Sequence, residues 1–300
     1  MSISRLRAGV LGHPIGHSRS PALHRAAYGG LGLDIHYDAC DLAPDQLAEF
    51  VHQIREGQGG QDSDRWLGCS VTMPHKAAMV PQMDQVSDRV RLLGVLNTVV
   101  WNPDGTAVGH NTDVDGIVRA LEYAGHERSV AGGAMVVVGG GGTAAAAIAA
   151  AHGLGVDEVQ LLLRTPEKAG NLLSLAAELG LAASVHPLSE LADRAPGCRA
   201  VVVTLPPRAA DPLAASLGMS GGSAGALPPL LDVAYDPWPS VIGQAWESAG
   251  GRVVSGLEML LYQAVEQVRL FTAQLRQDTP EPDWASITAQ MATAIDLPPR

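Results

Sequence analysis

A chain of 300 residues exceeds the usual size of a single hydrophobic core, so two domains are the default expectation. Its hydrophobic fraction of 46% comes mostly from Ala, Val and Leu, and an aromatic fraction of 4% suits helices laid closely on a parallel sheet. Twenty Lys and Arg against 31 Asp and Glu give a formal charge of −11, which opposes attraction to phosphate backbones or anionic lipid and argues against nucleic acid and membrane as partners.

Residues 1–12 carry no apolar run of signal-peptide length, so nothing favours secretion. Residues 7–11 read as a first strand, and Gly12-His13-Pro14-Ile15-Gly16-His17-Ser18-Arg19-Ser20-Pro21 as a loop entering a helix that begins at Ala22. Two readings of this loop stand side by side. Ser20 can cap the helix with Pro21 in its first turn; alternatively Ser18 and Ser20, two hydroxyls beside a helix N-terminus, can together grip a carboxylate. His13 and His17 have a spacing that would suit metal ligands on a helix, but Pro14 and Gly16 make this a loop and no carboxylate or cysteine completes a site, so no metal is assigned.

Residues 35–39 read as a strand, 44–55 as a helix with Leu47, Phe50, Val51 and Ile54 at helical spacing, and 57–64 as a polar loop. The strand 66–71 leads into Thr72-Met73-Pro74-His75-Lys76, which sets a hydroxyl and an amine beyond the carboxyl end of a strand, where open α/β sheets bind ligands. A lone lysine there is otherwise simply solvated. Residues 97–101 and 106–110 read as paired strands around a Pro103-Asp104-Gly105 turn. The second leads through Asn111 and Thr112 into a helix at Asp113, which taken alone is a carboxylate favoured by the helix N-terminus.

The strand 134–138 ends in Gly139-Gly140-Gly141-Gly142-Thr143 and passes straight into an alanine-rich helix. Gly139, Gly141 and Ala144 follow the G-x-G-x-x-G/A spacing, whose small residues allow a tight turn and let backbone approach a pyrophosphate at the helix N-terminus. A glycine turn with no ligand is the alternative. Residues 130–156 hold no Asp, Glu, Lys or Arg, yet their glycines and alanines make a poor membrane span and a good buried domain heart. After the strand 159–163 come Arg164, Thr165 and Lys168, with no Asp or Glu from 159 to 166. An acidic residue here holds a ribose 2′-hydroxyl, whereas an Arg accommodates a 2′-phosphate.

Residues 201–205 and 230–234 supply further strands, the second running into Tyr235-Asp236-Pro237-Trp238-Pro239, and 218–225 read as a mobile loop. From 257 to 271 apolar residues recur at helical spacing with Gln263 at the margin of that face, and the Pro-, Asp- and Thr-rich stretch from Gln277 onward reads as a loosely held tail. Cys40, Cys69 and Cys198 are odd in number and form no C-x-x-C pair, as expected of reduced thiols in a cytoplasmic protein.

The ordered motifs from Gly9 to about Gln267 resemble the shikimate dehydrogenase family. They are Gly12-His13-Pro14-Ile15 with Ser18, Ser20 and His24, then Val71-Thr72-Met73-Pro74 with Lys76, Asn97-Thr98, Asn111-Thr112-Asp113 with Gly116, the glycine turn, Arg164-Thr165 with Lys168, Tyr235 with Pro237, and Gly256 with Gln263. The resemblance implies NADP-dependent, reversible reduction of 3-dehydroshikimate to shikimate, with Lys76 as catalytic acid and base and Asp113 positioning it. It also implies that Ser18, Ser20 and Tyr235 hold the substrate carboxylate, while Thr72, Asn97, Asp113 and Gln263 bind ring oxygens. Cofactor contacts would come from Asp88, Gly139, Gly140, Gly141, Gly142, Thr143, Arg164, Thr165, Lys168, Val233 and Gly256. The implied fold is α/β in two domains: residues 1–112 and 256–300 form the substrate domain, with C-terminal helices returning to it, and 113–255 a Rossmann-type NADP-binding domain. A small-molecule substrate, a cytoplasmic location and an open choice between monomer and homodimer go with it. Four positions depart from the family pattern: Ser70 stands for Asn, Leu163 for Asn, Gly140 for Ala and Ser240 for Thr. A quinate/shikimate or amino-shikimate dehydrogenase of the same superfamily is the nearest alternative, and a non-catalytic NADPH-binding regulatory module the more distant one.

Overall fold

A computed structural model of the chain describes residues 5–57, 64–125, 132–217, 227–277 and 279–298. They divide into two compact units, Met1–Thr112 with Gln263–Arg300, and Asp113–Tyr262. The sequence predicts a return to the first unit at residue 256; the contacts divide the chain at Gln263, inside a continuous helix.

In the first unit the chain forms β1 (Leu6–Gly12), α1 (Ser20–Gly30), β2 (Ile35–Asp41), α2 (Leu47–Gly57), β3 (Arg65–Val71), β4 (Gln85–Val86), α3 (Asp88–Leu93), β5 (Thr98–Trp101) and β6 (Ala107–His110). Their sheet runs β2-β1-β3-β5-β6-β4, with β1 parallel to β2 and β3, and β5 antiparallel to both β3 and β6. This mixed order gathers the carboxyl ends of β1, β3 and β6 and the amino end of β5 along one edge. Leu11, Val71, Met79, Leu96, Val99 and Trp101 belong to one buried cluster beneath that edge.

The second unit contains α4 (Asp113–Tyr123), β7 (Ala134–Val138), α5 (Gly142–Gly153), β8 (Glu158–Leu163), α6 (Gly170–Glu178), β9 (Ala182–Pro187), α7 (Leu191–Arg194), β10 (Ala200–Val203), α8 (Asp211–Leu217), β11 (Leu230–Asp232), α9 (Val241–Ser248) and β12 (Val253–Ser255). All six strands are parallel, in the order β12-β11-β10-β7-β8-β9. Read from β9, this is the doubly wound order of the Rossmann fold, whose ligands sit beyond the carboxyl ends where the order reverses beside β7. β7 and β10 are buried almost throughout, and α5 packs on β7 with Ala144, Ala146, Ala147 and Ile148 fully buried, a close approach that its alanines permit.

α10 (Gly256–Thr272) begins in the second unit and ends in the first, where a ring edge of Phe271 occupies the space a side chain on Gly68 would need. α11 (Trp284–Ala294) corrects the expected loose tail. Asp283 caps it by accepting from the backbone N–H groups of Ala285 and Ser286, and Trp284, Ile287, Met291 and Ile295 are buried. Arg269 and Arg276 both lie over the Trp284 ring, at 4.3 and 5.0 Å. The expected mobile loop at 218–225 and most of the polar loop at 57–64 lie outside the described residues. Among the described residues, no helix is long and apolar enough to cross a membrane.

Candidate active site

At the shared edge of the first sheet, backbone bonds lace the loops together. Thr72 N–H donates to Leu11 O at 2.9 Å and His13 N–H to Met73 O at 3.1 Å; Val71 N–H donates to Asn97 O at 2.7 Å and Leu96 N–H to Lys76 O at 3.1 Å. Gly12 makes this approach possible, because a Cβ there would run into the Thr72 methyl and the Ile15 side chain. His75 is buried, and its Nε2 carries a proton, since its partner at 2.8 Å is the carbonyl of Leu42. That bond ties down the turn that carries Lys76, which is half-buried.

Ser18 and Ser20 sit where β1 delivers the chain into α1. Ser20 is not the helix cap: Arg19 takes that position with no capping side chain, and Ser20 is the first helical residue, buried, its N–H donating to Ser18 Oγ at 3.3 Å. The capping reading is thereby replaced. Asn97, Thr112 and Gln263 form a buried polar triad, with Asn97 Nδ2 donating to Thr112 Oγ1 at 3.0 Å and to Gln263 Oε1 at 3.2 Å. The structure thus brings Gln263, from α10, to Asn97. Asp113 follows Thr112 directly, as the first residue of α4, and is buried. Asp88, expected among the cofactor residues, lies on the first unit at the start of α3, exposed and paired with Arg91 at 2.7 Å.

In the second unit the other expected residues share the carboxyl edge of the parallel sheet. Gly139 follows β7 with φ +114°, a conformation that side-chain-bearing residues avoid, and a Cβ there would strike Thr204 Oγ1. Gly141 is the extended N-cap of α5; no side chain caps this helix and its first turn holds no acid, so the backbone N–H groups at Gly142 and Thr143 face no competing side-chain acceptor at the cap. Gly140 and Gly141 are exposed. Arg164, Thr165 and Lys168 are exposed just beyond β8. This cradle fits a dinucleotide: open helix N–H groups for a pyrophosphate, two cations for a further phosphate.

Val233, just after β11, and Gly256, the first residue of α10, meet so closely that a Cβ on Gly256 would overlap the Val233 carbonyl. Tyr235 is half-buried in the loop that follows. Just before it, burial raises the carboxyl pKa of Asp232 despite the opposing hydrogen bonds from Ser240 and from Ala234 N–H. No cluster of metal-ligating residues occurs among the described residues.

Residues to which the sequence assigns no role lie behind the triad. Gln267, Thr98, Ser70, His24 and Tyr37 form a buried hydrogen-bonded layer. A signal was present, since Gln267 falls one helical turn after Gln263 in an otherwise apolar stretch.

Residues 10–99 match the family profile described as "Shikimate dehydrogenase substrate binding domain". A shikimate dehydrogenase (NADP(+)) of Methanothermobacter thermautotrophicus is 34% identical over 272 residues, covering 89% of this chain and 90% of its own. The crystal structure of Mycobacterium tuberculosis shikimate dehydrogenase is 38% identical with a TM-score of 0.78, covering 96% of this chain and 98% of its own. A shikimate 5-dehydrogenase from Thermus thermophilus, in complex with NADP(H) and shikimate, is 30% identical with a TM-score of 0.76, covering 96% and 99%. The chain belongs to the shikimate dehydrogenase family.

Proposed function

We propose that the protein reversibly reduces 3-dehydroshikimate to shikimate with NADPH, the first unit holding the substrate and the second the dinucleotide. The observation that carries this reading is the gathering of Ser18, Thr72, Lys76 and Asn97 along one edge of the first sheet, on loops laced by backbone bonds, with Gln263 of α10 hydrogen-bonded to Asn97. NADPH, when bound, supplies the hydride. Addition of hydride to a carbonyl leaves negative charge on oxygen, and the Lys76 ammonium stabilises that charge and donates the proton. Asp113, adjoining Thr112, positions Lys76 and a ring hydroxyl. Asn97, Gln263 and Thr72 hydrogen-bond ring oxygens, and Ser18, Ser20 and Tyr235 hold the carboxylate.

In the second unit the backbone of Gly139 to Thr143 receives the pyrophosphate, Arg164, Thr165 and Lys168 receive the 2′-phosphate, and Val233 and Gly256 border the nicotinamide; Asp88 is assigned to the cofactor as well in this reading. A cytoplasmic location goes with the function and is supported by three unpaired cysteines. A homodimer is the proposed assembly, and sedimentation tests it. The deciding experiment is NADPH formation by the purified protein from NADP and shikimate, run beside quinate. No turnover of shikimate overturns the reading, and equal efficiency on quinate moves the protein to a quinate/shikimate dehydrogenase.

A further inference from the structure

Two backbone groups orient the amides of Asn97 and Gln267 in the polar layer behind the sheet edge. Thr112 N–H donates to Asn97 Oδ1 at 2.8 Å, so the carboxamide oxygen of Asn97 faces inward and its Nδ2 faces Thr112 Oγ1 and Gln263 Oε1. The carbonyl of Asn97 accepts from Gln267 Nε2 at 3.0 Å, so the second amide is also held one way round. Thr98 Oγ1 lies 2.7 Å from Asn97 Oδ1 and 3.1 Å from Gln267 Nε2; since the amide nitrogen can only donate, the hydroxyl gives its one proton to Asn97.

On the other side, Gln267 Oε1 accepts from Ser70 Oγ at 2.7 Å, and Ser70 therefore accepts from the Tyr37 hydroxyl at 2.7 Å. His24 Nε2 lies 3.3 Å from the same oxygen and must carry its proton there, leaving Nδ1 to accept from Tyr28 at 3.1 Å. His24 is fully buried and its pKa falls to about 3, so the ring stays neutral with this tautomer. Gln267 is 1% exposed and takes part in bonds through both ends of its amide.

We propose that Gln267 is a positioning residue for substrate binding: through Thr98 and the Asn97 backbone it keeps the Asn97 carboxamide in the one orientation that presents Nδ2 towards Gln263. The inference rests on the proposed function, in which Asn97 and Gln263 bind substrate ring oxygens. Removal of Gln267 takes away the amide protons that hold Thr98 Oγ1 and the Asn97 carbonyl, so the hydroxyl and the backbone behind the Asn97 carboxamide lose a fixed position and Thr112 N–H remains as the backbone hold on Oδ1. Methionine is the closest apolar replacement in length and shape.

Gln267→Met should raise KM for shikimate about five- to tenfold, the range for loss of one neutral buried hydrogen bond, with KM for NADP within about twofold of the parent. In an Asn97→Ala background the same substitution should change KM for shikimate by less than about twofold, because the group it orients is gone. Thr98→Val, which deletes the relay hydroxyl alone, should reproduce the rise and decides the matter if the methionine variant fails to fold. An unmoved KM for shikimate, or equal effects with and without Asn97, overturns the inference while the parent enzyme still turns over shikimate. A parent protein inactive on shikimate overturns the proposed function and this role with it.

Discussion

In the proposed reading the two units hold small molecules by opposite means. The first unit builds its edge from side chains, and buries hydroxyls and amides such as Ser70, Thr98, Asn97 and Gln267 to keep others in place. The second builds its edge from bare backbone, where Gly139 has no room for a side chain and Gly141 caps α5 without one, and its central strands β7 and β10 are apolar throughout. A side-chain site can be lost by turning one amide round, because a buried polar group without its partner costs about 1–3 kcal/mol. A backbone site is lost by adding atoms. Substitutions should therefore separate the two units by which substrate's kinetics they disturb.

The sharpest test is Lys76→Ala. Loss of the proton-transfer group should lower turnover roughly 10²–10⁴-fold while leaving NADP affinity in place. Near-normal turnover would remove Lys76 from the chemistry, and a parallel loss of NADP affinity would break the comparison.

Acid sensitivity should be a property of the first unit. His24 is fully buried, with its pKa lowered from 6.5 to about 3, so the stability it contributes is present above pH 6.5 and is lost as pH falls from there towards 3. The slope is at most about 1.4 kcal/mol per pH unit, which adds to several kcal/mol across the window. His24→Phe keeps a ring against Tyr37, on which His24 stacks at 4.0 Å, and removes the titration. The acid limb of unfolding free energy against pH should flatten in that variant, whatever its stability at neutral pH; an unchanged limb would assign the sensitivity to other groups.

For the second unit, Gly139→Ala puts a Cβ on a residue at φ +114° and against Thr204, a strain of about 1–3 kcal/mol. KM for NADP should rise by about tenfold or more with KM for shikimate little changed, measured by varying each at saturation of the other. The smallest effect is expected from the exposed Arg164. Arg164→Ala should lower catalytic efficiency with NADP about tenfold, the scale of one charge-assisted hydrogen bond, and with NAD much less. An unchanged NADP/NAD ratio would mean that the 2′-phosphate is held elsewhere.

Legibility from sequence followed the same division. Glycines at 139, 141 and 142 and a parallel strand pattern announce the second unit, because both are local: a turn needs small residues within a few positions, and a doubly buried strand is apolar along its length. In the first unit the motif around Lys76 was readable, whereas the layer headed by Gln267 was not. Its partners His24, Ser70 and Thr98 come from α1, β3 and β5, and only tertiary packing joins them. α11 was missed for another reason. The prolines and aspartates before it drew attention to a loop, although Asp283 followed by apolar residues at 284, 287 and 291 is a helix start with a buried face.

The first unit is discontinuous in sequence, and this matters while the protein is being made. At about 5–20 residues added per second, domains generally fold as their segments leave the ribosome. The second unit, Asp113–Tyr262, has its whole sequence available before translation ends. The first must wait for Gln263–Arg300, which supplies the partner of Asn97, the Phe271 ring over Gly68, and α11. A nascent chain halted near residue 262 would hold every expected dinucleotide-binding residue, yet lack Gln263 and Gln267 from the substrate edge, so the order of synthesis sets the order in which the two binding functions can be acquired.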